Sequence, residues 1–430
     1  MRGVAKYLEQ YAETEASYVD DVEPHRHCLV IPSCAEGAQT LRVLDGIPED
    51  SLVVVVVNER ADVSDEVRRL NRETLSAFDR AFESEQGDSG LRVSTTSFGH
   101  CVVVDRTASR SLPAEQGVGL ARKIGADVAL ACAARSDGRC QAIAFTDADA
   151  RLPENFFDAV ASVDWKVTAA AWHRFVHDED ADAPVDLIWA YDIWLRYAVA
   201  GLRRARSPYA FHTVGSTQSV SCSAYAAVRG VPKRLAAEDF YFFNKLAKVG
   251  PIRPIGTSPI RLSGRCSSRV PFGTGAAMSQ WDGERSVEDF RLYDPRVYEV
   301  LAKLLSELDV WCSSGGSLDE QLAIALGPFR QTLDVFRIVE RCESARAQVR
   351  SSESLKRRLA SMFDGFWTLK VIHALRDAHF PNVPLRQALA EASFLRVDAP
   401  ESAPLRSLCE AVIHEEQGLK GARLRASLEP

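Results

Sequence analysis

A mostly parallel α/β sheet covered on both faces by helices, followed by a helical domain, is the architecture this sequence predicts. Apolar runs of strand length alternate with amphipathic stretches of helical spacing through residues 27–150, the pattern of a sheet built by crossover connections. The run Leu52-Val-Val-Val-Val-Val57 is apolar at consecutive positions, as a central parallel strand buried on both faces requires. Beyond residue 286 strand-like runs give way to long stretches that repeat apolar residues at helical spacing.

Taken in order, residues 1–26 are acidic and place Tyr7, Leu8, Tyr11 and Tyr18 at loosely helical spacing, so a lead-in helix and linker are expected. His27-Cys-Leu-Val-Ile-Pro-Ser33 reads as a buried strand stopped by Pro32, followed by Cys34-Ala-Glu36-Gly37 and an amphipathic helix with Leu41 and Leu44. Residues 52–57 form the second strand, 65–82 a helix, and 101–105 a third strand. A helix over 117–132 leads to the strand that ends at Asp147. A strand over 165–172, a helix over 187–202 carrying Trp189, Tyr191, Trp194 and Tyr197, and a turn over 211–216 follow. The helix beginning at Glu238-Asp239 has an apolar stripe of Phe240, Phe243 and Leu246 and stops at Gly250. Residues 297–308, 318–342, 355–376 and 385–394 are helical in pattern, with Pro381 and Pro384 as breaks.

At 430 residues the chain exceeds the size at which one core usually stops growing. A hydrophobic fraction of 46% and a charged fraction of 26% are those of an ordinary globular protein. A formal charge of -7 argues against nucleic acid as a partner, which would favour a basic chain with clustered Lys and Arg. Ten Cys are scattered without a C-x-x-C pair, and no N-terminal apolar segment resembles a signal peptide, so reduced thiols and a cytoplasmic location are expected. No apolar run approaches the ~20 residues of a spanning helix, and any membrane contact would be peripheral.

The stretch Gln141-Ala-Ile-Ala-Phe-Thr-Asp-Ala-Asp-Ala150 carries the chemistry. Asp147 and Asp149 stand at i and i+2 after an apolar strand, a spacing that aims both carboxylates to one side of extended backbone. A hard divalent cation between them would relieve their repulsion, and Mg²⁺ commonly takes one or two carboxylates together with phosphate oxygens. A solvated turn is the bland alternative for the same residues. In a parallel sheet, ligands bind outside the carboxyl ends of the strands. That geometry gathers Pro32, Glu36, Asn58, Glu59, Asp105, Asp147 and Asp149 on one edge. Gly117 and Gly119 permit close approach near a helix start, with Arg122 and Lys123 on its first turns able to meet a diphosphate. One of those two is expected to lie on a solvated face instead.

Ile31-Pro32 with Glu36, the run Ala121-Arg122-Lys123-Ile124-Gly125 after Gly117, and Thr146-Asp147-Ala148-Asp149 together resemble the donor half of a family 2-type glycosyltransferase with the GT-A fold. The resemblance implies a sheet that binds a nucleoside-diphosphate sugar and an Asp-x-Asp element that holds Mn²⁺ or Mg²⁺ against the diphosphate. It implies Glu36 and Asn58 near base and ribose, Pro32 beside them, Arg122 or Lys123 near the diphosphate, and Asp147 and Asp149 as metal ligands. It further implies that Glu238-Asp239, opening a helix after an acceptor-binding loop, supplies the general base of an inverting enzyme, with Asp239 favoured. Should the enzyme retain anomeric configuration, neither acid would serve so. In the loop 265–275, Arg265 and Arg269 suit an anionic ligand, and His173 or His212 would supply a further metal ligand from beyond the sheet. Two departures from the family pattern fall in the nucleotide pocket. Cys34-Ala35 stands where Tyr/Cys-Asn is frequent, and Asn58-Glu59-Arg60 where an Asp-x-Ser/Asp turn often follows the second strand.

On this reading residues 1–285 are a catalytic domain, with a donor half at 27–150 and an acceptor half at 151–285. Residues 286–430 are a helical domain that packs on the catalytic one, caps the acceptor side or forms a homo-oligomer. The partners implied are a nucleoside-diphosphate sugar and an acceptor hydroxyl. A nucleotidyltransferase would carry a Gly-rich basic loop directly after the first strand, and Pro32-Ser-Cys-Ala-Glu36 is not one. A catalytically idle nucleotide-sugar-binding or scaffolding protein would have no need of both acid pairs.

Overall fold

The computed structural model describes residues 2–86, 90–179, 185–266, 274–279, 287–397, 400 and 402–423. Two compact units divide the chain, residues 1–180 with 213–276 and residues 181–212 with 277–430.

The first unit is built on a nine-stranded sheet of β1 (His27–Ser33), β2 (Ser51–Asn58), β3 (Glu85–Gln86), β4 (Leu91–Thr96), β5 (Gly99–Arg106), β6 (Ala142–Phe145), β7 (Ala170–His177), β8 (Gln218–Ser221) and β9 (Ile252–Leu262), in the order β3-β4-β5-β2-β1-β6-β8-β7-β9. β1 is parallel to β2 and β6, β2 to β5, and β7 to β9. Only β8, antiparallel to β6 and β7, and β4, antiparallel to β3 and β5, run against the rest. The sheet is therefore mostly parallel, as the alternation of strand and helix predicts. Every residue of β2 is buried, which explains its unbroken valine run.

Through residue 250 the described helices are α1 (Arg2–Gln10), α2 (Asp65–Ala81), α3 (Val118–Ala134), α4 (Phe156–Ala161), α5 (Val185–Arg204), α6 (Cys222–Ala227) and α7 (Glu238–Leu246). The amphipathic turn expected around Leu41 and Leu44 is a 3₁₀ helix, Gly37–Leu44. α3 crosses β1 and β2 so closely that a Cβ on Gly125 would stand 2.5 Å from Val30 Cγ1. Nearly the whole of α3 is buried, so its weak amphipathicity follows from having no solvent face.

From β1 the chain proceeds outward through β2 to β5, then returns to place β6 on the other side of β1. This reversal makes the carboxyl ends of β1 and β6 a topological switch point, where open α/β sheets form a crevice. Pro32 stands at this point. β6 pairs β1 only at Cys28, Leu29 and Val30, whereas β2 continues to Ser33. Pro32 therefore lies past the end of β6, where its missing N–H removes no ladder bond on that side.

Five strands differ from the sequence expectation, which has no counterpart for β3 and β4. The strand expected at 165–172 runs Ala170–His177, because Trp165 sits in a turn with its Nε1 donating to Val160 O at 2.9 Å. β9 holds Pro254, Gly256 and Pro259, residues that argue against a strand unless it lies at an edge or bulge. Here it does both, bordering the sheet with a register shift opposite His173 and Phe175. β8 is four residues long and carries Gln218 and Ser219 in buried positions, so no apolar run announces it.

The second unit has a core in which α5 contributes Ala190, Ile193 and Tyr197 beside Tyr298, Leu301, Trp311 and Trp367. α5, read from sequence in the acceptor half, thus packs with the C-terminal helices. Gly201 lets it approach, since a Cβ there would meet the Tyr298 ring at 2.5 Å. The stretch expected as one helix over 318–342 is broken into Leu318–Leu326, Phe329–Leu333 and Ile338–Ala347. Gly327-Pro328 and Arg337, held at φ 51, make the breaks. Likewise 355–376 divides at Asp364, whose side chain caps Gly365–Ala378 by accepting from Trp367 N. Among the described residues no helix is long and apolar enough to cross a membrane.

Candidate active site

Four segments of the first unit bring charged side chains together. The loop after β1 carries Glu36, the turn after β6 carries Asp147 and Asp149, the start of α7 carries Glu238 and Asp239, and the segment after β9 carries Arg265. Two of these side chains are presented from uncommon backbone. Ala35 (φ 56) precedes Glu36 and Ala237 (φ 58) precedes Glu238. Left-handed alanines are strained, and such strain persists where surrounding structure fixes it.

Arg122, one turn into α3 and buried, is the hub. Its Nη1 donates to Glu238 Oε1 at 2.7 Å and its Nη2 to Asp147 Oδ1 at 2.5 Å. One guanidinium thus joins the acids at the end of β6 to those that open α7. Gly215 leaves room for it, since a Cβ at that position would lie 1.8 Å from Arg122 Nη1. Arg265 makes a second bridge, with Nη2 2.5 Å from Glu36 Oε1 and 2.9 Å from Asp149 Oδ2. The Asp147 charge also acts on Arg265, so the two bridges are neighbours.

Burial shapes the titration of the α7 acids. It pushes the Glu238 carboxyl up from 4.5 to about 7, with the Arg122 charge opposing and Asp239 and Asp147 reinforcing. Asp239, half-buried, is raised for the same reason, against Arg122 and the backbone N–H groups of Phe240 and Gly215. Phe240 N donates to Asp239 Oδ1 at 2.7 Å. A carboxylate made more basic than usual, with a nearby cation opposing that rise, is suited to take a proton.

Asp147 and Asp149 present oxygen donors only, the set that hard cations prefer. Among the described residues no group of three or more His, Cys, Asp or Glu side chains is arranged to hold a metal ion by itself. Two carboxylates fit a cation that draws its remaining oxygens from a bound diphosphate. The guanidinium of Arg265 between Glu36 and Asp149 marks where positive charge is wanted. Thr146 lies wholly buried beside Asp147, and its hydroxyl has no hydrogen-bond partner among the described residues.

Several expected ligand residues are engaged elsewhere. Lys123 points away from Arg122, as successive helix positions do, and its Nζ donates to Tyr7 Oη at 2.7 Å, Tyr11 O at 2.9 Å and Asp127 Oδ2 at 2.6 Å. It ties α1 to α3. Asn58 Nδ2 donates to Ser33 O and Val56 O, both at 3.1 Å, and so fastens the end of β1 to β2. Glu59 accepts from Ala108 N and Asn71 Nδ2, each at 3.0 Å, and Asp105 accepts from Thr107 N and Oγ1. Pro32 is a buried strand residue. Gly119 meets the chain's own backbone, since a Cβ there would stand 2.4 Å from Pro232 O. His173 stacks on Phe156 at 4.4 Å between ring centroids, and burial pushes it down to about 3, so it is a neutral core histidine. His212 belongs to the second unit, where its Nε2 pairs with Glu416 Oε1 at 2.7 Å. Arg269 lies outside the described residues.

Gly215 is the addition. Arg265 was legible as one of two arginines in a polar loop, while no sequence signal distinguishes Gly215 from any other turn glycine. No protein-family model matches this chain, and no curated protein matches it either.

Proposed function

We propose that the chain is a metal-dependent glycosyltransferase that moves a sugar from a nucleoside-diphosphate donor to an acceptor hydroxyl, with Asp239 as general base. The observation that carries this reading is the single Arg122 guanidinium shared by Asp147 and Glu238. It joins one member of each of two acid pairs, Asp147 and Glu238, that are 91 positions apart along the chain. The reversal of strand order between β1 and β6 supports the same reading, since a nucleotide lies in such a crevice.

Asp147 and Asp149 would hold Mn²⁺ or Mg²⁺ against the diphosphate, and the bound cation would neutralise charge on the leaving group. Asp239, half-buried at the start of α7, accepts the proton of the acceptor hydroxyl as that oxygen attacks the anomeric carbon. Glu238, locked on Arg122, fixes the helix start and binds the acceptor. Arg122 holds Asp147 and Glu238 in a fixed relation and adds positive charge where the diphosphate departs.

Thermal unfolding with UDP, GDP and dTDP, each with Mn²⁺, tests the proposal. The cognate nucleotide at 100 times its Kd should stabilise the protein by about 2.7 kcal/mol, and Asp149→Ala should abolish that gain. Absence of a shift with all three nucleotides would sink the reading.

A further inference from the structure

The two arginines of the site differ in a way that assigns them different tasks. Arg122 and its partner Glu238 have side chains only 6% and 5% exposed, so removing either from the other would strand a buried charge. Arg265 and Asp149 are 24% and 22% exposed, so water can solvate both if they part, whereas Glu36, with a side chain only 5% exposed, keeps the guanidinium as its counterion. Arg122 is therefore fixed on Glu238 and Arg265 on Glu36, and the contact that can exchange is the one between Arg265 and Asp149.

We infer that Arg265 is an internal counterion that blocks the Asp149 carboxylate to divalent cations until a diphosphate draws the guanidinium off that carboxylate while Glu36 keeps hold of it, an inference that rests on the glycosyl-transfer reading above. Its Nη2 is 2.9 Å from Asp149 Oδ2 and 2.5 Å from Glu36 Oε1. A divalent cation such as Mg²⁺ bound to that oxygen at about 2.0–2.1 Å would stand against the guanidinium, like charge on like charge. Cation and guanidinium thus compete for Asp149. A diphosphate resolves the competition because it offers Arg265 paired oxygens of its own, which suit the planar fork of an arginine. The consequence is coupling, in which metal alone binds weakly and metal with nucleoside diphosphate binds strongly. When the binding-competent state is a minor fraction, apparent affinity falls by that fraction.

Calorimetric titration of Mn²⁺ into the full-length protein tests this without reference to turnover. Arg265→Gln should bind Mn²⁺ alone about tenfold more tightly than the wild type, and Arg265→Lys, which keeps the charge without the fork, should fall between them. Saturating UDP, GDP or dTDP should raise Mn²⁺ affinity more in the wild type than in Arg265→Gln. Either variant binding Mn²⁺ no more tightly than the wild type overturns the inference. If Asp149-dependent binding of Mn²⁺ with a nucleotide persists in that case, the glycosyl-transfer reading stands and only the role of Arg265 falls. If Mn²⁺ and nucleotide bind no variant at all, both fall together.

Discussion

Arg122 Nη2 donates to Asp147 Oδ1 across 2.5 Å, although Arg122 lies on α3 and Asp147 beyond the end of β6. The contact draws the carboxyl edge of the sheet onto the helix that covers it. Because Nη1 of the same guanidinium reaches Glu238, a change at any one of the three is felt by the other two.

Removing the hub should cost stability before it costs anything else. Arg122→Met leaves Glu238 buried without its cation, and breaking one side of a buried pair costs roughly 3–5 kcal/mol. The double variant Arg122→Met with Glu238→Gln removes both charges and should recover much of that loss. Urea denaturation of the four proteins of the cycle measures the coupling. Strict additivity of the two single changes would mean that the pair contributes nothing.

Asp239→Asn should leave Mn²⁺-dependent nucleotide binding intact and abolish transfer, because the amide cannot accept the hydroxyl proton. For the wild type, transfer should rise with pH as the raised Asp239 carboxyl ionises. Nucleotide binding measured beside turnover separates the roles, and loss of donor binding in this variant would show that Asp239 holds the donor instead.

Glu238 makes a stability prediction with a definite sign. Its folded value, about 7, lies above its ordinary 4.5, so between these values the folded state holds a proton that the unfolded state has released. The stability it contributes is complete below about 4.5 and is lost as pH rises through about 7. Glu238→Gln should therefore gain on the wild type between pH 5 and pH 7.5 in urea denaturation. A constant difference across that window would mean that Glu238 titrates as it would in water.

Lys123→Met isolates the residue that the helix turns the other way. It would leave Asp127, fully buried and already raised by burial, with Tyr7 and Tyr225 as hydroxyl donors at 2.7 Å each. We expect a loss of roughly 3–5 kcal/mol, reduced when Asp127→Asn is added, with Mn²⁺-dependent nucleotide binding unchanged in whatever folds. Loss of nucleotide affinity at full stability would return Lys123 to the diphosphate.

The physics of each residue explains what could be read from sequence. β1, β2 and β6 were legible because parallel central strands need unbroken apolar runs, and Asp147 and Asp149 because two acids at i and i+2 follow such a run. β8 and β9 were not, since a four-residue strand has no measurable period and a strand holding two prolines resembles a loop. Glu238 and Asp239 were visible at a helix start, but their bridge to Asp147 depends on a crossing of α3 that no local pattern encodes. Asn58 and Lys123 illustrate the opposite error. A polar residue at the right edge can be consumed by fastening the edge itself, and sequence does not show which hydrogen bonds a backbone will claim.

Gly215 and Gly119 allow that tertiary claim to be tested, because each makes room for a different neighbour. A methyl at Gly119 would press on Pro232 O at 2.4 Å and Arg234 N at 2.7 Å, both backbone. A methyl at Gly215 would press on the Arg122 guanidinium. Both alanine variants should lose about 1–3 kcal/mol through overpacking, so stability alone does not separate them. Titration does. Displacing Arg122 removes the cation that holds Glu238 down, so Gly215→Ala should carry the pH-dependent loss of stability beyond pH 7, whereas Gly119→Ala should keep the wild-type profile. Urea denaturation of both variants from pH 5 to pH 8.5 reads this out. Parallel profiles would mean that Arg122 finds Glu238 without the space that Gly215 provides, and that the bridge between the two acid pairs is held by the packing of α3 alone.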